Sequence, residues 1–201
     1  MTASNLATPA EKVQPTEQQA ITRLKQGDLA GLETLVQAHQ SKAVHAALLI
    51  VGDPGTAEDI VQDAFLRATQ KIHQFDDRRP FNPWFLKIVI NAALKTARQH
   101  QRSEPIEEEG DSTRLAAWLI DPRQSPEERV ETTELRAAIW RALAQLTPNQ
   151  RAAVVLRYFL DQSEREMIQE LDRPLTTVKW WLHTARQKLR ELLPPVQISE
   201  P

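Results

Sequence analysis

The chain has 201 residues, enough for one or two small domains that each bury a modest core. Five glycines and no cysteine, among abundant Ala, Leu, Glu, Gln and Arg, predict an all-α protein and exclude disulfides and thiolate zinc sites. No apolar run is long enough to span a bilayer and no signal-peptide core opens the chain, so a cytoplasmic location without membrane insertion is expected. The formal net charge of −2 conceals an uneven distribution. Residues 64–102 hold eight Lys/Arg against two Asp, and 136–190 hold ten against five acids. Between them, 103–134 hold ten acids against three Arg, so two basic helical blocks flank an acidic tract.

Residues 1–15, with little apolar content, read as disordered. Thr16 with Gln19 is spaced to cap a short helix that ends at Gly27. Asp28 is expected to cap a longer one that buries Leu29, Leu32, Leu35, Val36, Val44, Leu48 and Val51. His39 and His45 fall in this helix without partners at ligand spacing, so no metal is expected. Gly52-Asp53-Pro54-Gly55 is a turn. From Thr56 the next helix turns Ile60, Val61, Ala64, Phe65, Ala68 and Ile72 inward and Glu58, Asp59, Gln62, Asp63 and Arg67 outward. That acidic face is either solvated or fitted to a basic protein partner.

After Phe75 comes the loop Asp76-Asp77-Arg78-Arg79-Pro80-Phe81, and Asn82 is expected to cap a helix with Pro83 in its first turn. Apolar residues from Phe85 to Leu94 cover most of this helix. One stripe stays polar: Lys87, Asn91, Lys95, Arg98 and Arg102, with Trp84 at its end. Basic residues beside an aromatic suit a nucleic-acid strand, with charge on the phosphates and the ring on a base. A wet stripe with Trp84 tucked into the core is the rival.

Residues 103–124 are an acidic linker broken by Pro105, Gly110 and Pro122, with an apolar island over Leu115–Ile120. Fully extended, it reaches roughly 70–80 Å. Ser125-Pro126-Glu127-Glu128 then caps a helix expected to bury Leu135, Ala138, Ile139, Ala142, Leu143 and Leu146. Thr147 with Gln150 opens another, which carries Ala152, Ala153, Leu156, Phe159 and Leu160. Ser163 with Glu166 caps a short helix with Met167, Ile168 and Leu171 on its apolar side. Asp172-Arg173-Pro174 breaks it. A last helix begins near Thr176 or Thr177, with Val178, Leu182, Ala185 and Leu189 inward. Lys179, Trp180, His183, Thr184 and Gln187 lie opposite, and Trp181 sits at the edge of the buried side. Two short helices with a tight turn read as helix-turn-helix, whose second helix suits a major groove; an ordinary helical hairpin is the alternative. Residues 194–201 form a polar tail.

Two blocks resemble one family. AEDIVQDAF (57–65) with PFNPWFLKIVINAALKTAR (80–98) is similar to region 2 of the small extracytoplasmic-function sigma factors of bacterial RNA polymerase, in the sigma-70 family. LTPNQRAAVVLRYFLDQSEREMIQEL (146–171) with TTVKWWLHTARQKLR (176–190) is similar to their region 4. The resemblance implies two small helical domains, 16–102 and 125–193, with core RNA polymerase and promoter DNA as partners and no cofactor. An anti-sigma factor is a further partner that it allows. Carried over, Glu58, Asp59, Gln62 and Asp63 would face the polymerase. Arg78, Arg79, Trp84, Lys87, Asn91, Lys95, Arg98 and Arg102 would take the −10 element. Thr176, Thr177, Lys179, Trp180, His183, Thr184 and Arg186 would lie in the −35 groove. The linker would pass through the polymerase cleft.

This chain also departs from the family. Thr176 stands where the family commonly has glycine. Trp180-Trp181-Leu182-His183-Thr184 stands in place of a stretch with two more basic residues. Ile168 fills a place usually held by alanine, and Lys95 one often held by an acid. Alongside a promoter-specificity subunit, the sequence therefore leaves open a stand-alone helix-turn-helix regulator, and a degenerate relative that binds polymerase or a regulator without reading DNA. No arrangement of catalytic groups is visible, so an enzyme is not expected.

Overall fold

The computed structural model describes residues 16–103 and 126–193. The expectations for 1–15, for the linker with its apolar island and the Ser125 cap, and for the tail lie outside the described residues. The rest is helical, and no strand occurs among the described residues.

In the first half, α1 (Glu17–Lys25), α2 (Ala30–Val51) and α3 (Pro54–Lys71) are followed by a short 3-10 turn (Ile72–Gln74) and α4 (Phe81–Ser103). Thr16 and Gln19 close the expected capping box on α1. Gly27 and Gly52 take φ of 84° and 81° after α1 and α2, a left-handed conformation open to glycine at little cost. Gly31 is needed for a different reason: a Cβ there would run into the backbone carbonyl of Ala20, so its hydrogen lets α2 approach α1. Asp53 accepts from the Thr56 amide at 2.7 Å, so α3 begins at Pro54, ahead of the expected Thr56.

Two expectations fail here. Leu29 is 66% exposed, because Asp28 Oδ1 caps the Ala30 amide and leaves Leu29 outside the first turn of α2. Helix α4 starts at Phe81, so Asn82 lies inside the helix and does not cap it. The Phe81 amide is taken instead by Glu17 Oε1 of α1, at 3.4 Å.

In the second half, α5 (Pro126–Ala144) leads to α6 (Pro148–Val154), which runs into a π-helical turn (Val155–Phe159) before α7 (Glu164–Leu171) and α8 (Leu175–Leu192). The Thr147–Gln150 and Ser163–Glu166 capping boxes both form. The extra residue of the π turn rotates the later side chains about the helix axis. Val155 and Leu156 are buried, whereas Phe159, placed on the apolar side by a strict helical period, is 37% exposed. Leu135 is likewise on the surface, and Trp140 is the large side chain that α5 buries.

A chain of aromatic rings runs through the first half. Phe65 stacks on Phe85 with centroids 4.2 Å apart, and Phe85 stacks on Phe81 at 5.6 Å. The buried residues of α2 and α4 join those of α6, α7 and α8 in one hydrophobic cluster. The two halves therefore pack on each other, along the very helix that carries the basic stripe.

Candidate nucleic-acid interface

On the α4 stripe Lys87, Asn91 and Lys95 are exposed and Arg98 is half-buried, and the second half reaches its edge. Lys87 Nζ donates to the Gln169 carbonyl of α7 at 2.9 Å. The Arg98 guanidinium donates from Nε and a terminal nitrogen to Asn149 Oδ1 of α6, at 3.1 and 2.6 Å. Asn91, Lys95 and Arg98 line a cleft of about 330 Å³ together with Leu171 at the end of α7. The helical spacing thus brings Lys87, Asn91, Lys95 and Arg98 together as expected, and the second half engages two of them, Lys87 and Arg98. Trp84, at the end of the stripe, is half-buried, with its ring 4.9 Å from Phe75 and 5.6 Å from Phe81. The Arg102 side chain lies outside the described residues.

The loop before α4 is built around two aspartates. Asp76 accepts from the Arg78 amide at 3.2 Å, and from its guanidinium at 2.9 and 3.1 Å. Those bonds hold the Asp76 carboxyl down at about 2. Arg79 approaches the same carboxylate at 3.8 Å. Both arginines are more than three-quarters exposed, so one acid gathers two cations at the surface. Asp77 points the other way, toward α1, where Lys25 Nζ meets it at 3.3 Å.

On α3, Asp59, Gln62 and Asp63 are exposed and Glu58 is half-buried. Leu66 joins them at 59% exposure. Positions 59, 62, 63 and 66 share one helical face, so the acidic surface has an apolar residue at its end. The sequence reading passed over Leu66; its i, i+7 relation to Asp59, on the face opposite the core residues, was the available signal.

Helices α7 and α8 form the expected helix-turn-helix, with Asp172 at φ 50° in the turn. Helix α8 begins at Leu175, one residue ahead of Thr176. Thr176 and His183 are exposed and Thr177 is half-buried. Lys179 pairs with Glu164 of α7 at 3.4 Å. Trp180 is 60% exposed while Trp181 is buried, so the adjacent indoles divide between surface and core. Arg186 is exposed, with Nε donating to the Leu182 carbonyl at 3.3 Å. Thr184 stands apart from the others: its hydroxyl accepts from Gln150 Nε2 at 2.8 Å and donates to the Trp180 carbonyl. Helical period alone sets Thr184 on the outer face; its bond to Gln150, the buried amide of the Thr147 capping box, ties α6 to α8 and has no local signal.

Glu170 is the buried acid of α7, where that helix meets α4. Burial pushes its carboxyl up to about 7, against the opposing pull of Lys87 and of a Gln162 hydrogen bond. Its Oε1 has no hydrogen-bond partner.

Comparison with known proteins places both halves. Residues 35–103 match the family described as Sigma-70 region 2, and residues 136–189 match Sigma-70, region 4. The ECF RNA polymerase sigma factor SigW of Bacillus subtilis is 28% identical over 176 residues, covering 86% of this chain and 94% of that protein. The RNA polymerase sigma-E factor of Streptomyces antibioticus is 30% identical over 174 residues, covering 85% of this chain and 88% of that one. Among solved structures, CnrH in complex with the cytosolic domain of CnrY aligns with a TM-score of 0.59 at 22% identity, over 88% of this chain and 96% of that chain. The sigma factor RpoE in complex with the anti-sigma factor NepR from Bartonella quintana aligns with a TM-score of 0.55 at 20% identity, over 89% and 99%. At those identities the structural likeness is one of fold. The sequence relationship goes further: two sigma-70 regions stand in order in one chain, and a sigma factor matches it nearly end to end at 30% identity. The chain belongs to the extracytoplasmic-function group of the sigma-70 family of RNA polymerase sigma factors.

Proposed function

We propose that the factor divides its work between residues 16–102 and 125–193, joined by the acidic linker 103–124, and directs core RNA polymerase to its promoters from the cytoplasm as a binding subunit without catalysis of its own. The exposed face of α3, with Glu58, Asp59, Gln62 and Asp63 extended by Leu66, docks on the polymerase. The loop with Arg78 and Arg79, together with Trp84, Lys87, Asn91, Lys95, Arg98 and Arg102, melts the −10 element and holds the displaced strand. The outer face of α8, with Thr176, Thr177, Lys179, Trp180, His183 and Arg186, reads the −35 element, and Thr184 supports that helix from behind through Gln150. The observation that carries this reading is the pair of matched regions in one chain, each bearing a polar surface of the kind its region requires.

Lys87, Asn91 and Lys95 are open to a strand as they stand, whereas Arg98 is held against Asn149 of α6 and is freed for a phosphate only if that bond breaks. An anti-sigma partner of the kind bound to the related RpoE fits the same scheme as an inhibitor. Transcription by purified core polymerase on a pool of randomised promoters, with and without the protein, tests the assignment. Enrichment of a common −10 and −35 pair is expected, and an unchanged transcript pool refutes it. A second reading draws on Lys179 and Thr184, whose polar groups are partly engaged within the protein: a factor that binds polymerase and reads −10 but makes few −35 contacts. Enrichment of a −10 motif alone distinguishes it.

A further inference from the structure

Helix α1 precedes the stretch that matches region 2, and the proposed function gives it no part. Its contacts nonetheless converge on one place. Gln18 Nε2 donates to the Asp77 carbonyl at 3.0 Å, and Lys25 Nζ donates to the Asp77 carboxylate at 3.3 Å. Glu17 Oε1 takes the Phe81 amide at 3.4 Å, while its Oε2 meets His39 Nε2 at 2.9 Å. The His39 ring in turn lies 5.3 Å from the ring of Phe81. Residues 18 and 25 are seven apart and share a face, with Ile21 and Leu24 buried beside it. One edge of α1 thus grips the middle and the end of the loop 76–80.

The ends of that loop are held by the buried rings of Phe75 and Phe81. Its outward side carries Asp76, Arg78 and Arg79. With Asp77 drawn inward by α1, the arginine pair can project only outward. We infer that Glu17, Gln18 and Lys25 of α1 are positioning residues that set the shape of the loop 76–80, and through it the choice of −10 base. This rests on the reading that the loop meets the −10 strand.

The energetics make the inference separable from a structural role. Gln18 and Asp77 lie toward the surface, and a surface ion pair such as Lys25–Asp77 contributes little to stability. Loss of these bonds should leave the fold intact while releasing the loop. The experiment uses the full chain with core polymerase and promoters randomised across the −10 element. The double substitution Gln18→Ala with Lys25→Ala is expected to keep thermal stability within a few degrees. Its preference for the best −10 base should drop by about fivefold or more, the lower end of what one mismatched base pair costs a specific binder. Lys25→Arg alone, which keeps a donor for Asp77, should retain the preference. Arg23→Ala breaks a pair with Asp28 elsewhere on α1 and should leave the preference unchanged.

If the double variant keeps the wild-type preference while Arg78→Ala with Arg79→Ala alters it, the positioning role is overturned and the loop reading stands. If the loop variant alters nothing either, the loop is not a −10 contact, and both fall. If Arg23→Ala broadens the preference as much as the double variant, the effect belongs to α1 as a whole, and the inference is overturned.

Discussion

The Glu170→Gln substitution should stabilise the protein at neutral and higher pH and remove a pH dependence. Glu170 is buried where α7 packs on α4, and its carboxyl is raised from 4.5 to about 7 by that burial. Lys87 and Glu166 are the charged groups acting on it, the first favouring its ionised form and the second opposing it. Between those two pH values the folded chain holds a proton that the unfolded chain releases. The neutral form's contribution is therefore complete below about pH 4.5 and is lost as pH rises to about 7. The rise from 4.5 to about 7, at about 1.4 kcal/mol for each tenfold change in proton affinity, sets an upper limit of about 3.5 kcal/mol. For a chain of this length that corresponds to a fall in melting temperature of about 7–14 °C. Glutamine has the same shape, carries no charge and does not titrate. Calorimetry on wild type and variant at several pH values from 4.5 to 8 isolates the effect in their difference, because any contribution from the histidines is common to both. The difference should grow with pH and level off above about 7. A difference that is flat with pH, or a variant less stable than wild type at pH 8, would refute the reasoning.

Reversing Asp59 and Asp63 to Lys should abolish co-purification with core polymerase and leave helix content intact by circular dichroism, since both side chains are exposed. Replacing Trp181 by Ala should cost about 3 kcal/mol in urea unfolding, because the ring is buried against the helix-turn-helix core. Replacing Trp180 by Ser should change stability by less than about 0.5 kcal/mol and shift −35 preference away from thymine-containing sites in a binding selection. Gly31→Ala should destabilise by about 1–3 kcal/mol or more, because the added methyl meets backbone of α1 that cannot swing aside; the same urea titration measures it.

Much of this was legible from local signals. Three capping boxes, Thr16–Gln19, Thr147–Gln150 and Ser163–Glu166, formed where their spacing put them, because each is satisfied within four residues. The inward positions from Ile60 to Ile72, along α3 and into the 3-10 turn after it, followed from helical period alone. The failures involved partners distant in sequence or a break in period. The start of α4 was assigned to Asn82, but the amide to be capped is held by Glu17, 64 residues earlier. Phe159 was placed inward by a period that the π turn interrupts, and no residue type announces such a turn. The α4 stripe has a neighbour that neither of its readings included. Lys87, Asn91 and Lys95 are exposed, yet Lys87 also bonds a helix 82 residues further on, and Arg98 is half-buried beneath another. The order of the two polar blocks pointed to the family, while the packing of one on the other could not be read from either.

That packing bears on how the stripe can serve a strand. The oxygens that take hydrogen bonds from Lys87 and Arg98 across the interface, the Gln169 carbonyl and Asn149 Oδ1, are neutral, and the Glu170 carboxyl lies near enough to Lys87 to feel its charge. The bonds from these two cations to neutral oxygens are already charge-assisted. On the proposed function, a phosphate adds a Coulomb attraction that a neutral acceptor lacks. Lys87 is exposed and keeps further donors for a phosphate, whereas the half-buried Arg98 has more to give up. Glu170 tilts the balance toward opening. Above about pH 7 its carboxylate is charged in a buried position beside Lys87, which disfavours the closed arrangement. The interface combines a continuous apolar contact, which holds the halves together, with polar groups at its edge that a strand can also engage. Such a surface can close when no strand is present and yield when one arrives.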